Sequence, residues 1–336
     1  MGKGILERLA EGPVLGDGGY LLELEKRGYV QAGPFTPEVV IEHPDALAQL
    51  HREFLRAGVD VLQTMTFYAS DDKLETVGLR DKVDDINRTA VQVARHVADE
   101  GDALVAGNLS LTWAYDPEDR ASSDHVRGLF DRQLQDQTDA GGVDFWIGET
   151  FSFLGEALLY VERAKRTGIP VMATMCFEHP VPRSYEGDTP ADCARKLVDA
   201  GADIVGVNCL NGPEQQVAIA TEMREAVSGY LAAQPVAYRT TDDQPDFTAT
   251  PNFPYALDPL QLSRQDMARY ARQARDTGID YIGSCCGSVQ SHVRAMAKVL
   301  GKLPSDEREW KSSTGKVMSA YEYRDHSETE VGSGKT

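Results

Sequence analysis

The chain has 336 residues, of which 41% are hydrophobic and 26% are charged, as in an ordinary globular protein. It carries 34 Lys and Arg against 53 Asp and Glu, which gives a formal net charge of −19. This charge argues against a nucleic-acid partner or an anionic membrane, because binding to phosphate groups needs clustered Lys and Arg. No apolar run approaches the roughly 18 residues of a membrane-spanning helix, and the N-terminal segment 1–9 is too charged for a signal peptide. We therefore expect a cytoplasmic protein.

Helical segments that end in glycine alternate with short apolar runs along most of the chain, as at Gly58, Gly168 and Gly278. Glycine readily adopts the left-handed conformation that ends a helix, and such an apolar run is typical of a strand buried on both faces of a parallel sheet. The predicted strands are residues 13–17, 61–64, 103–107, 145–149, 171–174, 204–209, 235–238 and 281–284. Eight strands alternating with helices predict an α/β fold, the (β/α)8 TIM barrel. The alternative, a doubly wound open sheet, is disfavoured because no G-x-G-x-x-G motif follows any of these strands.

The predicted barrel occupies residues 1–304. Its helices are predicted over residues 46–57, 82–99, 124–140, 153–167, 190–200, 214–232, 264–277 and 290–300. The proline-containing segment 239–257 is predicted to be a long loop over the carboxyl end of the barrel, where it would shape a site. Residues 305–336 are polar and charged, and we interpret them as a C-terminal tail. The alternative role for this tail is an arm that contacts another copy of the chain, and we expect a homo-oligomer.

Five cysteines, an odd number, argue against a disulfide framework and favour metal binding or chemistry in a reducing compartment. Cys209 ends the sixth predicted strand, and Cys285 and Cys286 end the eighth. The carboxyl ends of barrel strands face the active-site mouth, and three thiolates with an open fourth position are typical of a catalytic zinc ion. The alternative is that these cysteines are small buried core residues. Cys176 also ends a predicted strand, so spacing alone leaves it as a candidate ligand, whereas Cys193 lies in a predicted helix and is interpreted as core.

A zinc ion held by three thiolates is a weak Lewis acid, because its ligands already donate much negative charge. Such an ion is suited to holding a substrate thiol as a fourth ligand, with its pKa lowered and its sulfur still nucleophilic. The cysteine pattern therefore predicts alkyl transfer to a substrate thiol.

Short segments along the chain carry a resemblance to a known family: residues 16–19 (GDGG), 24–30 (LEKRGYV), 32–38 (AGPFTPE), 51–58 (HREFLRAG), 66–70 (TFYAS), 207–209 (VNC) and 285–287 (CCG). They closely resemble the betaine–homocysteine S-methyltransferases, and the resemblance extends over about residues 3–304. It implies a zinc-dependent barrel that methylates homocysteine to methionine. It also implies that Cys209, Cys285 and Cys286, rather than Cys176, are the zinc ligands.

The resemblance implies further site residues at matching positions. Asp17 and Gly18 resemble residues that hold the amino-acid end of homocysteine, while Thr64 and Glu149 match pocket positions. Glu149 is the candidate catalytic residue, since a carboxylate after an apolar strand would suit a substrate ammonium group. The structural alternatives are a buried carboxylate paired with donors of the protein itself for Glu149 and a turn residue for Asp17.

Phe35, Phe67 and Tyr68 fall at aromatic positions that resemble the methyl-donor pocket, and Thr36, beside Phe35, is a further predicted substrate-binding residue. Aromatic faces attract a quaternary ammonium or sulfonium group by cation–π interaction, although core packing would also explain these rings. Phe35 stands where the betaine enzymes usually have Trp. The resemblance favours glycine betaine as the donor, with dimethylglycine as its product. The alternative donors are dimethylsulfoniopropionate, S-methylmethionine and proline betaine.

Two functions from other classes use the same residues. A non-catalytic zinc or thiol sensor would bind without turnover, and the presence of Asp17, Glu149 and all three cysteines argues against it. A redox enzyme using the vicinal pair Cys285–Cys286 would work without a metal.

Overall fold

The structure is a computed structural model that describes residues 2–303. The predicted tail at 305–336 lies outside these residues, so its role and the domain boundary at 304 stay predictions. The eight strands are β1 (Val14–Leu15), β2 (Val61–Gln63), β3 (Leu104–Ser110), β4 (Phe145–Phe151), β5 (Val171–Met175), β6 (Ile204–Asn208), β7 (Tyr230–Gln234) and β8 (Tyr281–Ile282). The helices are α1 (Ile5–Glu11), α2 (Leu21–Lys26), α3 (Val39–Glu42), α4 (Pro44–Ala57), α5 (Asp71–Glu75), α6 (Val83–Ala98), α7 (Arg120–Asp139), α8 (Leu154–Ala164), α9 (Pro190–Asp199), α10 (Pro213–Ala226), α11 (Arg264–Asp276) and α12 (Gln290–Val299). Short 3-10 turns cover Arg80–Lys82, Lys165–Thr167, Phe247–Ala249 and Asp258–Leu260.

The strands form one parallel sheet in the order β1-β8-β7-β6-β5-β4-β3-β2. The first strand pairs with the last, with Val14 opposite Tyr281, so the sheet curls back on itself. Across the remaining seam, the Asp60 N–H before β2 donates to Leu15 O of β1 at 2.9 Å. The result is a nearly closed barrel with alternating helices, which confirms the (β/α)8 prediction.

One end of the barrel is closed by its hydrophobic core. Ile5 and Leu9 of α1 are buried in the same cluster as residues that begin the strands, including Val14, Val61 and Leu104. This helix therefore covers the amino-terminal end of the barrel. The carboxyl ends of the strands are left free for a site, as in other TIM barrels. None of the helices within 2–303 is both long and apolar enough to cross a membrane.

The predicted position of the seventh strand, 235–238, is wrong. The strand is Tyr230–Gln234, and the helix predicted to run to residue 232 ends at Ala226. Val227 leaves the helix in an extended conformation, so the Leu-Ala-Ala run at 231–233 is strand despite its good helix formers. The backbone of β7 lies so close to β6 that residue 206 must be glycine, because a Cβ added there would be 2.1 Å from Ala232 O.

Candidate active site at the carboxyl end of the barrel

A cavity of about 520 Å³ lies at the carboxyl ends of the strands. The predicted site residues that line it are Asp17, Gly18, Phe35, Thr64, Phe67, Tyr68, Glu149, Cys209, Cys285 and Cys286. Thr36 is the exception, because it is buried and does not belong to the lining. The long loop 239–257 contributes Asp246, Phe247, Thr248 and Phe253, as expected for a segment over this face.

Three thiols converge in this cavity. The Sγ atom of Cys286 lies 3.8 Å from that of Cys209 and 3.9 Å from that of Cys285. All three sulfurs lie within 4.8 Å of one another and form a group that could hold a metal ion. Cys176 lines the cavity outside this group, with its Sγ 3.2 Å from Ser152 Oγ. Cys193 is fully buried in α9, as its helical position predicted.

The chain holds the cysteines in place by its backbone. Cys209 lies one residue after β6, and its N–H donates to Gln234 O at 2.9 Å. The loop after β8 is fixed by hydrogen bonds from Cys285 N to Pro235 O and from Ala237 N to Cys286 O, both 2.8 Å long. The loop after β1 packs closely on the loop after β8, which carries Cys285 and Cys286. Residue 19 must be glycine for this approach, because a Cβ there would be 2.9 Å from Cys285 O.

Glu149 is a buried carboxyl with three amide donors. Its Oε1 accepts from Asn108 Nδ2 at 2.5 Å and from Gln63 Nε2 at 2.7 Å, while Oε2 accepts from Asn208 Nδ2 at 3.0 Å. The Asn208 amide must face this way, since its Oδ1 accepts from Thr150 N and Thr174 Oγ1. Burial nevertheless raises the pKa of Glu149 to about 8, because desolvation disfavours the charged form more than the donors favour it.

Asp17 is a second buried carboxyl, on the loop after β1. Its Oδ2 accepts from the Tyr20 hydroxyl and, at 2.7 Å, from Gln63 N. Burial raises the pKa of Asp17 to about 7. The Tyr20 hydroxyl also lies 3.1 Å from Nδ1 of the fully buried His51. Sequence reasoning missed Tyr20, although it directly follows the GDGG segment at 16–19 that contains Asp17.

Two of the predicted site residues, Thr64 and Gly18, have structural roles in the cavity wall. The Thr64 hydroxyl accepts from Asn108 N at 2.8 Å and donates to Gln137 Oε1 at 3.2 Å. A Cβ at Gly18 would be 2.7 Å from the Phe54 ring, so this glycine allows the loop after β1 to pack on α4.

The aromatic residues line the cavity in two groups. Phe35 stacks on Phe253, with ring centroids 5.7 Å apart. Phe67 and Tyr68 are in contact at 4.3 Å, and Trp113 Nε1 donates to the Tyr68 hydroxyl at 2.7 Å. The three predicted rings therefore share one cavity, but Phe35 stacks on Phe253, whereas Phe67 and Tyr68 contact each other.

Backbone strain is concentrated at this cavity. Within residues 2–303, each non-glycine residue with a positive φ is part of the lining: Phe35, Tyr68, Trp113, Thr150, Cys209 and Leu210. Such conformations cost free energy and persist where the surroundings enforce them, commonly at functional sites. This observation marks the cavity as the site independently of its side-chain chemistry.

Sequence reasoning also missed Gln63, Asn108 and Asn208, which hold Glu149, and Trp113 and Lys73, which lie against Tyr68. The signal for the first three was available, because each lies in a strand at or near its carboxyl end. Trp113 lies in the loop after β3, and Lys73 lies in the short helix α5 after β2. Spacing gives no such signal in these segments.

Comparison with known proteins identifies the family. The sequence profile of the family described as homocysteine S-methyltransferase matches residues 14–300. Betaine–homocysteine S-methyltransferase 1 from Xenopus laevis and that from Bos taurus are each 48% identical over 313 residues, covering 89% of this chain and 75% of theirs. The S-methylmethionine–homocysteine S-methyltransferase BHMT2 of Pongo abelii is 45% identical over 310 residues, covering 89% of this chain and 81% of its own.

A solved structure agrees with the fold. The metallated form of the homocysteine methyltransferase MmuM from Escherichia coli superimposes with a TM-score of 0.71 at 19% identity, covering 87% of this chain and 99% of that one. The chain therefore belongs to the homocysteine S-methyltransferase family, and the resemblance seen in the sequence is confirmed.

Proposed function

We propose that this protein transfers a methyl group from glycine betaine to homocysteine, giving methionine and dimethylglycine, with zinc as its metal. The convergence of Cys209, Cys285 and Cys286 at the cavity floor carries the proposal, since it supplies a site for a thiol-activating ion beside two buried carboxyls. The relatives that are 46–48% identical and named for betaine support the choice of donor.

The three thiols fit zinc. Tetrahedral zinc with Zn–S bonds of about 2.3 Å has its sulfurs about 3.8 Å apart, close to the 3.8 and 3.9 Å separations of Cys286 Sγ from the other two. A set of three thiolates leaves one position for a substrate, as a catalytic site requires. When bound, zinc lowers the pKa of the homocysteine thiol and leaves its sulfur nucleophilic.

The chain's carboxyls are proposed to bind and orient homocysteine. Glu149 and Asp17 line the same cavity as the cysteines, and both are buried enough to interact strongly with an ammonium group. A substrate ammonium would favour the ionised form of each carboxyl and offset the desolvation that raises its pKa. Glu149 would then be held by its three amide donors in the orientation that receives the amino group.

The aromatic residues are proposed to bind the methyl donor. Phe35, Phe67 and Tyr68 line the cavity, and the faces of aromatic rings attract onium groups. Methyl transfer from an onium donor to a thiolate destroys charge, so a pocket that excludes water favours the charge-dispersed transition state over the charged reactants.

The test is to assay methionine formation and metal content together. The full chain, purified with zinc, is given homocysteine and a panel of donors: glycine betaine, dimethylsulfoniopropionate, S-methylmethionine and proline betaine. We expect about one zinc per chain and methionine formation that is fastest with glycine betaine. Cys209→Ala, Cys285→Ala and Cys286→Ala should each lose zinc and activity, while Cys193→Ala, buried in α9, should keep both.

Each contrary outcome has a distinct meaning. Zinc binding without methionine from any donor would indicate a sensor instead of an enzyme. A zinc content far below one per chain, with no methionine formed, would favour the redox dithiol alternative. Full zinc content in one of the three variants would remove that cysteine from the ligand set.

We also propose that the protein is cytoplasmic and forms a homo-oligomer. A contact arm at residues 305–336 is the alternative to a simple tail. Light scattering of the full chain and of a chain ending at 304 tests this role, because an oligomer-contact arm predicts a smaller assembly for the shorter chain. The same number of subunits in both assemblies would contradict it.

A further inference from the structure

Lys73 lies in the wall of the cavity beside two aromatic rings. It belongs to the short helix α5 and is half-buried. Its Nζ is 4.3 Å from the centroid of the Tyr68 ring and 4.9 Å from that of the Trp113 ring. The hydrogen bond from Trp113 Nε1 to the Tyr68 hydroxyl joins these rings into one wall. The ammonium group is therefore held at the aromatic side of the cavity.

Within residues 2–303, no carboxylate forms an ion pair with the ammonium group of Lys73. Among the described residues that line the cavity it is the only basic one, whereas Asp17, Glu149, Glu178 and Asp246 are acidic. No hydrogen bond or ion pair to its Nζ is made by any side chain within 2–303. Glu156 acts on it electrostatically from a distance, while Glu156 Oε1 itself accepts from Thr112 N at 2.7 Å and from Thr112 Oγ1 at 2.5 Å.

A half-buried ammonium without a counter-ion is costly, and burial lowers the pKa of Lys73 to about 8. The group is still mostly charged at neutral pH. Such a cation attracts an anionic ligand group and repels a net positive ligand, and both effects are strengthened by the low dielectric of a cavity. The cavity wall therefore favours a ligand that carries a negative group together with its onium group.

We propose that Lys73 binds the carboxylate of a zwitterionic methyl donor whose onium group lies on the neighbouring aromatic faces. This inference rests on the proposed function and narrows its donor class. Lys73 is assigned to the donor rather than to homocysteine because it contacts Tyr68 and Trp113, whereas the buried carboxyls Asp17 and Glu149 are joined to each other through Gln63. Donors with a carboxylate are therefore preferred over simple onium cations.

The experiment compares two sulfonium donors that differ in the carboxylate. Dimethylsulfonioacetate carries one and trimethylsulfonium does not, and both are used beside glycine betaine with the zinc-loaded full chain. In Lys73→Met, KM for the two zwitterions should rise about 10- to 100-fold, the effect of losing a charged hydrogen bond. KM for trimethylsulfonium should stay the same or fall, and KM for homocysteine and kcat with saturating betaine should change little.

Two further variants separate charge from structure. Lys73→Arg keeps a cation and should restore much of the affinity for glycine betaine. Lys82→Met is the control, because Lys82 is half-buried like Lys73 but lies outside the cavity lining and pairs with Asp81 and Asp85, and this variant should behave like the unaltered protein. Lys73→Gln serves as a second neutral variant if Lys73→Met fails to fold, as judged by its circular dichroism melt.

Binding of dimethylglycine, measured by calorimetry, gives a readout that does not depend on turnover. It should weaken in Lys73→Met and recover in Lys73→Arg. If the unaltered protein makes no methionine from any donor, the proposed function fails, while the calorimetric comparison still tests Lys73. If methionine is formed but the ratio of KM for dimethylsulfonioacetate to KM for trimethylsulfonium is the same in both proteins, the Lys73 assignment is overturned alone. A rise confined to KM for homocysteine would also overturn it.

Discussion

Gln63 and Glu149 are joined by a hydrogen bond of 2.7 Å from the side-chain amide to Oε1. The backbone N–H of the same glutamine donates to Asp17 Oδ2, also at 2.7 Å. The last residue of β2 therefore links two buried carboxyls that come from the ends of β1 and β4. Because all three residues are carried by barrel strands or the loops directly after them, the carboxyls are positioned by the rigid part of the fold.

Glu149→Gln should weaken homocysteine binding without removing the metal. The carboxyl loses its charge, and the new amide group meets the amides of Gln63, Asn108 and Asn208, which already donate to this position. Losing one member of a buried, charged interaction costs about 2–5 kcal/mol, so KM for homocysteine should rise steeply. Steady-state kinetics with zinc analysis checks this.

Glu225→Gln is the matched control for Glu149→Gln, because Glu225 is exposed in α10. It should leave both KM for homocysteine and the zinc content unchanged. Equal KM values for homocysteine in Glu149→Gln and the unaltered protein would place Glu149 outside the substrate pocket.

Tyr20→Phe should weaken homocysteine binding through Asp17. The substitution removes the hydroxyl that donates to Asp17 Oδ2 and leaves Gln63 N as the donor to that atom. The pKa of Asp17, already raised to about 7 by burial, should rise further, because a donor favours the ionised carboxylate. We expect a loss of about 0.5–1.5 kcal/mol at neutral pH that is smaller at high pH, and calorimetric titration of homocysteine across pH measures it. A loss independent of pH would point to packing instead.

The substrate-free, metal-free protein should lose stability as the pH rises toward 8. The pKa of Glu149 is raised from 4.5 to about 8, so between these values the folded protein holds a proton that the unfolded chain has released. The free energy of unfolding then falls with increasing pH over that range. Denaturant titrations between these limits should show the fall, and Glu149→Gln should make it shallower. A slope unchanged by that substitution would contradict the raised pKa.

The alternation of glycine-ended helices and apolar runs was sufficient to predict the barrel, because both features are local. The position of β7 was not, because Leu231, Ala232 and Ala233 are good helix formers that become strand through their fit against Gly206 of β6. That fit depends on a residue more than twenty positions away in the chain.

The site divides in the same way. The cysteines and carboxyls follow strands, so their convergence could be predicted from chain order. Gln63, Asn108 and Asn208, which hold Glu149, also lie at or near the ends of strands, so chain order carried a signal for them. Tyr20 carried no such signal, since it reaches Asp17 from a loop. Lys73 and Trp113 meet at Tyr68 from separate segments, and no sequence spacing encodes that contact.

Gly206→Ala should destabilise the barrel. A Cβ there would be 2.1 Å from the backbone oxygen of Ala232 in the neighbouring strand, which cannot move without disturbing the sheet. Overpacking of this kind costs about 1–3 kcal/mol, measured as a lower free energy of unfolding. Gly128→Ala in α7, where an added Cβ meets nothing within 4 Å, should instead stabilise the protein slightly. Equal stability of the two variants would show that β6 and β7 can separate at this point.

Phe35 is predicted to bind the onium group of the donor. Its ring lines the cavity, stacks on Phe253 and packs against the buried cluster that contains Cys209. Phe35→Leu should raise KM for glycine betaine by the equivalent of about 0.5–2 kcal/mol, the value of one cation–π contact, with little change in KM for homocysteine. Phe35→Trp should act in the opposite direction and favour glycine betaine over bulkier donors. Because Leu and Trp meet the same positive φ at this position as Phe, backbone strain is matched across the series.

The charge of the donor provides the decisive comparison for Phe35. In 3,3-dimethylbutanoate, carbon replaces the onium nitrogen of glycine betaine while the carboxylate is kept. This neutral-headed analogue should compete poorly with betaine, and Phe35→Leu should narrow the difference between the two ligands, because the substitution removes the face that distinguishes a cation from a hydrocarbon. If the analogue inhibits with a constant equal to the KM of betaine, the pocket recognises shape alone, and the role assigned to Phe35 is wrong.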